Sequence, residues 1–121
     1  MVLSETIDDL VVRDGLYYKK SSDVPFSGEI TGLSKGTFTN GKVDGTWIGY
    51  YDNGQLRDTG NYKNDKKEGE WVSYHDNGQL ESKGNYKNGK QEGFWIRYYD
   101  NGQLRRKGNY KNDLKEGVSI Y

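Results

Sequence analysis

Strand-like bursts of aromatic and branched residues, each closed by the same polar turn, run through most of the chain. TWIGYYDNGQL at 46–56, WVSYHDNGQL at 71–80 and WIRYYDNGQL at 95–104 are three of them. Alternate side chains along a strand point to opposite sides, so each burst predicts a strand with two unlike faces. No apolar period of 3.6 runs anywhere, and Gly or Asn recurs every few residues, which argues against helix throughout. Asn-Gly between such bursts is a strong hairpin signal, because both central residues of a tight hairpin turn need positive φ.

With Asn53-Gly54 as a two-residue turn, counting outward predicts the pairs Tyr51–Leu56, Tyr50–Arg57, Gly49–Asp58, Ile48–Thr59 and Trp47–Gly60. The same register sets Trp71 opposite Gly84 and Trp95 opposite Gly108. A large ring over a bare cross-strand glycine pins register and shields a weak strand position. One face then carries Trp47, Tyr51, Leu56 and Tyr62 and their equivalents Trp71, Leu80, Tyr86, Trp95, Tyr99, Leu104 and Tyr110, and is the better candidate core. The other carries Ile48 and Tyr50, Val72 and Tyr74, Ile96 and Tyr98, across from Thr59, Arg57, Lys83, Glu81, Lys107 and Arg105.

The bursts repeat without gaps at a step of 24 residues. Gly54, Gly78 and Gly102 keep that step, as do Gly60, Gly84 and Gly108, and Trp47, Trp71 and Trp95. A period of this length marks a stacked array of supersecondary units. Second turns join the units: KNDKKEG at 63–69, KNGKQEG at 87–93 and KNDLKEG at 111–117. Asn88-Gly89 is again a hairpin signal, Asn64-Asp65 and Asn112-Asp113 are weaker forms of it, and the Glu-Gly that follows suggests a bulge. The reading divides the chain into an N-terminal cap and connector at 1–25, with a short hairpin around Asp14-Gly15, and a repeat array at 26–121. Within the array, 26–49 is a degenerate first unit, and 50–73, 74–97 and 98–121 are regular ones. Val118–Tyr121 begins a further strand that lacks a partner, with Ser119 where the next tryptophan would fall.

Composition modifies this picture in two ways. Leu, Ile, Val and Phe make up only about a fifth of the 121 residues, while aromatics reach 14% with 11 Tyr and 3 Trp, so a thin, aromatic-rich interior is expected. The 18 Lys+Arg balance 18 Asp+Glu, which argues against nucleic acid and weakens the case for an anionic membrane. There is no cysteine, hence no thiol chemistry or disulfide. No segment is apolar enough to span a bilayer as a helix. The acidic N-terminus MVLSETIDDLVVRDG lacks a signal pattern, so the chain reads as cytoplasmic as written, or exported if a signal has been removed.

Catalytic and metal-binding groups are scarce. His75, the one histidine, replaces a repeat tyrosine beside a turn and has no partner in the sequence. Glu68, Glu92 and Glu116 recur beside turns, a pattern that repetition explains better than a pair of acid–base carboxylates. Asp52, Asp76 and Asp100 lack the further oxygens of a calcium loop, and the glycines do not precede a helix that could cradle phosphate. No catalytic residue, metal ligand or cofactor is expected.

The segment KNGKQEGFWIRYYDNGQL at 87–104, with its two sister segments, resembles the MORN repeat, in the 24-residue variant of bacterial YwqK-family antitoxins. The likeness covers roughly 36–121, and more loosely the chain from 15. It implies an all-β, elongated antiparallel meander of repeated hairpins. It also implies a non-enzymatic role in binding or scaffolding, and the antitoxin label implies neutralisation of a partner protein. The name of the repeat also brings peripheral membrane attachment, for which Arg105, Arg106 and Lys107 give one basic cluster.

Tyr50, Tyr74 and Tyr98 have two readings: a stripe that packs on a further layer or braces the sheet, or a partner-binding surface. In the second, Arg57, Glu81 and Arg105, with Asp58, Ser82 and Arg106 beside them, vary in charge between units and write specificity on a constant scaffold. The basic third unit would favour an acidic patch on the partner. The alternative is a structural protein that assembles with its own copies through the open edge strand.

Overall fold

The computed structural model describes residues 5–116. β1 (Glu5–Thr6) and a single 3-10 turn (Ile7–Asp9) lead into a hairpin of β2 (Leu10–Arg13) and β3 (Leu16–Lys19). β4 (Gly28–Thr31), β5 (Ser34–Thr39) and β6 (Lys42–Val43) follow. The regular units supply β7 (Gly45–Tyr50), β8 (Leu56–Lys63), β9 (Lys66–Tyr74), β10 (Leu80–Lys87), β11 (Lys90–Tyr98), β12 (Leu104–Lys111) and β13 (Leu114–Glu116). The main sheet runs β1-β4-β5-β7 and then in chain order to β13, with β6 also on β5. Every pair is antiparallel except β1 with β4. The all-β meander predicted from the repeats is the observed architecture. The expected strand at Val118–Tyr121 lies outside the described residues.

The deepest packing sits at the N-terminal end. Leu10, Phe26, Ile30, Phe38 and Val43 form a buried cluster, with Ile7, Tyr17, Trp47 and Tyr62 against it. The β2–β3 hairpin brings Tyr17 edge-on to Phe38, ring centroids 5.0 Å apart. Phe26 lies 5.6 Å from the same ring. This is the one place where the described chain lays a second layer on the sheet.

Two kinds of turn alternate along the array. At the joints, Asn64 and Asp65, Asn88 and Gly89, and Asn112 and Asp113 all have positive φ, the tight two-residue form that the Asn-Gly signal predicts. Asp fills the second position because its carboxylate is used: Asp65 Oδ1 accepts the Val43 N–H at 3.2 Å and Asp113 Oδ1 the Gln91 N–H at 2.6 Å.

The Asp-Asn-Gly turns differ from expectation. The Gly54 N–H donates to Tyr51 O and the Tyr51 N–H to Gln55 O, both at 2.9 Å. Only Gly54 has positive φ there, at +87°. This is the three-residue loop, a turn followed by a left-handed glycine and a bulge. The consequence is a register shift. Tyr50 pairs with Leu56, Tyr74 with Leu80 and Tyr98 with Leu104, while Arg57, Glu81 and Arg105 fall in the bulges. The predicted pairs Tyr50–Arg57 and Tyr51–Leu56 are therefore corrected, whereas Trp47–Gly60, Trp71–Gly84 and Trp95–Gly108 hold.

Candidate functional site

The bulge sorts the side chains onto the two faces differently from simple counting. Leu56, Leu80 and Leu104 leave the tryptophan face and join Tyr50, Tyr74 and Tyr98. Arg57 moves the other way: a Cβ built on Gly49 would meet the Arg57 guanidinium at 2.6 Å, so that side chain lies over the glycine on the tryptophan side. Glu81 likewise lines a cavity with Trp71 and Trp95, and the Arg105 guanidinium sits 5.9 Å from the Tyr99 ring. The six residues read as one binding strip are thus split, three tyrosines on one face and three charged residues turned to the other.

On the tryptophan face the rings seal themselves. Trp47, Tyr62, Trp71, Tyr86 and Trp95 form a continuous edge-to-face ladder, with successive centroids 5.8, 5.0, 6.5 and 5.0 Å apart. Such geometry suits the ring quadrupoles. The covering of glycine is real, but its direction is corrected. Each ring leans back onto the glycine of the preceding strand, Trp47 on Gly36, Trp71 on Gly60 and Trp95 on Gly84, where an added Cβ would overlap the indole. For Trp71 and Trp95 the cause is the Glu-Gly bulge. Asn61 pairs with Glu68 and Thr59 with Val72, so Gly60 alone faces Gly69, Glu70 and Trp71. The indole N–H groups fix the lean, Trp71 Nε1 donating to Asn61 O at 2.9 Å and Trp95 Nε1 to Asn85 O at 3.0 Å. Trp71 and Trp95 are only 3% exposed. Burial, with Asp58 next in importance, pushes the Tyr62 phenol up to about 12, and burial also raises Tyr86.

Along one edge the units are stitched by side chains. The Tyr51 hydroxyl donates to Tyr74 O at 2.6 Å, and Asn53 Nδ2 to Asp76 O at 2.8 Å. One unit on, His75 Nε2 meets Tyr98 O at 2.9 Å and Asn77 Nδ2 donates to Asp100 O at 2.6 Å. His75 therefore replaces a repeat tyrosine in the same bond, and its Nδ1 lies 3.6 Å from Glu81. On the opposite edge, Glu68 Oε2 accepts the Asn88 N–H at 2.9 Å and Glu92 Oε2 the Asn112 N–H at 3.1 Å. Glu68 and Glu92 thus cap the next unit's turn, a role whose only signal in the sequence is their fixed distance ahead of the next Asn.

The other face has no covering layer among the described residues. Its outer row reads Tyr50, Leu56, Tyr74, Leu80, Tyr98, Leu104, all half-buried. A shallow groove of about 290 Å³ opens among Gln79, Leu80, Tyr98 and Gly102. The inner row alternates Ile48, Thr59, Val72, Lys83, Ile96 and Lys107. Phe94, which the sequence reading passed over, adds a ring 51% exposed on the same face. Among the described residues no three His, Cys, Asp or Glu side chains gather into a metal-binding group, and no helix is long and apolar enough to cross a membrane.

A family model described as MORN repeat variant matches residues 43–64, 67–88 and 91–112, together more than half of the chain. Each matched segment begins at the residue that meets the next unit's joint turn and ends on the joint's Asn. No curated protein and no solved structure matches the chain.

Proposed function

Because the chain belongs to the MORN repeat variant family, whose members are generally non-enzymatic modules of protein or membrane interaction, we propose that it binds a partner protein across the Tyr/Leu face. The observation that carries this reading is the uncovered six-residue row of alternating tyrosine and leucine, extended by the exposed Phe94 ring. Tyrosine offers large rigid contact area with a polar tip, and leucine beside it supplies the apolar floor. A protein is favoured over a lipid surface because the net charge is zero and the flanking turns carry Asp52, Asp76 and Asp100. A membrane face would carry a basic excess. The resemblance to bacterial antitoxins supports a finer role, inhibition of the partner by covering its working surface.

The test is capture from a lysate of the source organism on immobilised wild-type chain, beside a Tyr50→Ser/Tyr74→Ser/Tyr98→Ser variant shown by circular dichroism to be folded. A protein retained by the first and lost by the second supports the reading. Retention by both moves the contact elsewhere. Self-association that rises with concentration in sedimentation, with no partner captured, replaces it with assembly through the sheet edge.

A further inference from the structure

Where the units differ on the tryptophan face, they differ in charge along one row. Directly paired residues run Gly49, Asp58, Ser73, Ser82, Arg97, Arg106 across the sheet. The row passes from an acid, through two serines, to two arginines. Beside its serines lies a cavity of about 180 Å³, lined in part by Lys67, Trp71, Glu81, Tyr86, Trp95 and Arg97. That is smaller than the ~300–1,000 Å³ typical of small-molecule sites, and suits one inserted side chain better than a cofactor.

The two cations of this cavity have no direct ion pair among the described residues, although Glu81 shares the lining. Lys67 Nζ rests on ring faces, 4.7 Å from the Trp71 centroid and 5.1 Å from that of Tyr86. Neither Lys67 nor Arg97 makes an ion pair there, although both are half-buried. A partly desolvated cation with no carboxylate in direct contact is held at a cost that an incoming anion reduces. The one carboxylate in the lining, Glu81, is turned toward His75 at 3.6 Å.

We propose that the cavity between Trp71 and Trp95 is a second binding site, taking a glutamate or aspartate side chain of an acidic peptide segment between Lys67 and Arg97. A planar carboxylate fits the guanidinium fork, and its methylene stem meets the indole and phenol walls. Glu81 opposes a doubly charged phosphate more than a single carboxylate, which decides the ligand class. The site lies on the opposite face from the Tyr/Leu row, so either stands without the other.

The experiment is a nuclear magnetic resonance titration of the whole chain with a blocked tetraglutamate peptide, following the three indole N–H signals. The expected result is a saturable shift of Trp71 and Trp95 with Trp47 unmoved, and no shift with the tetraglutamine peptide. Lys67→Gln/Arg97→Gln weakens binding about tenfold or more, as loss of charge-assisted bonds requires. Lys87→Gln/Lys111→Gln, which removes the same charge elsewhere, leaves affinity within about twofold. Glu81→Gln, which spares both cations, tightens it about threefold by removing a like charge. No indole shift, equal losses in the two double variants, or tighter binding of inorganic phosphate than of the peptide each overturns the proposal.

Discussion

Both faces of this sheet carry a row of aromatic rings, and they do opposite things with it. On one, each tryptophan has a bare glycine on the neighbouring strand, so the ring lies down, and Trp71 and Trp95 are buried by their own array. On the other, tyrosine pairs with leucine, no glycine makes room, and the side chains stand up half-exposed. A single-layer sheet has no opposing layer to bury against. The tryptophan face solves that problem internally, and the tyrosine face stays half-exposed among the described residues. Aromatic content alone does not tell core from contact surface; what the cross-strand neighbour allows does.

The comparison can be broken from either side. The largest loss is expected from Gly84→Val, whose side chain would overlap the Trp95 ring; forcing that ring off its seat should cost about 3 kcal/mol in urea unfolding. Gly78→Val comes next. Gly78 has φ +87°, and a Cβ there would sit 2.5 Å from Gln55 Oε1, so about 2 kcal/mol is expected from backbone strain in a β-branched residue. Asn77→Ala removes the bond to Asp100 O and the acceptor of the Gln79 N–H and should cost about 1–2 kcal/mol, read as a fall in Tm.

Tyr62 yields the smallest effect, absent at neutral pH. Its phenol ionises near 10.0 in the unfolded chain and is pushed up to about 12 in the fold. The stability tied to the neutral ring is therefore complete below pH 10 and is lost as pH rises toward and through about 12. Tyr62→Phe should flatten that alkaline decline in pH-dependent melting, and an unchanged decline would assign it to other groups.

The meander was legible because local signals repeat: Asn at the joint turns, glycine at fixed steps and strand-forming residues between them. The candidate surface was half legible. The repeat marks Tyr50, Tyr74 and Tyr98 as one row, but counting from a two-residue turn sets Arg57, Glu81 and Arg105 beside them where the structure sets Leu56, Leu80 and Leu104. Asn-Gly occurs in both Asp-Asn-Gly-Gln and Lys-Asn-Gly-Lys, and two-residue counting treats them alike. The difference lies in the Asn of the Asp-Asn-Gly turns: Asn53, Asn77 and Asn101 Oδ1 each accept the N–H two residues on, at 2.9 Å. The backward lean of the tryptophans escaped for a related reason: it depends on how many residues the Glu-Gly bulge sets against one glycine. The buried N-terminal cluster joins residues from Leu10 to Val43 with no shared period, so nothing in the spacing announced it.

The central claim, that one face holds the array and the other is left for contact, is tested most directly inside one unit. Trp71 and Tyr74 lie three residues apart on opposite faces of β9. Urea unfolding of Trp71→Ala against Tyr74→Ser should show a loss of about 3–5 kcal/mol for the first and about 1 kcal/mol or less for the second, whose side chain is already half in water. Equal losses would mean that the tyrosine face is as much a part of the fold's interior as the tryptophan face, and would contradict the account.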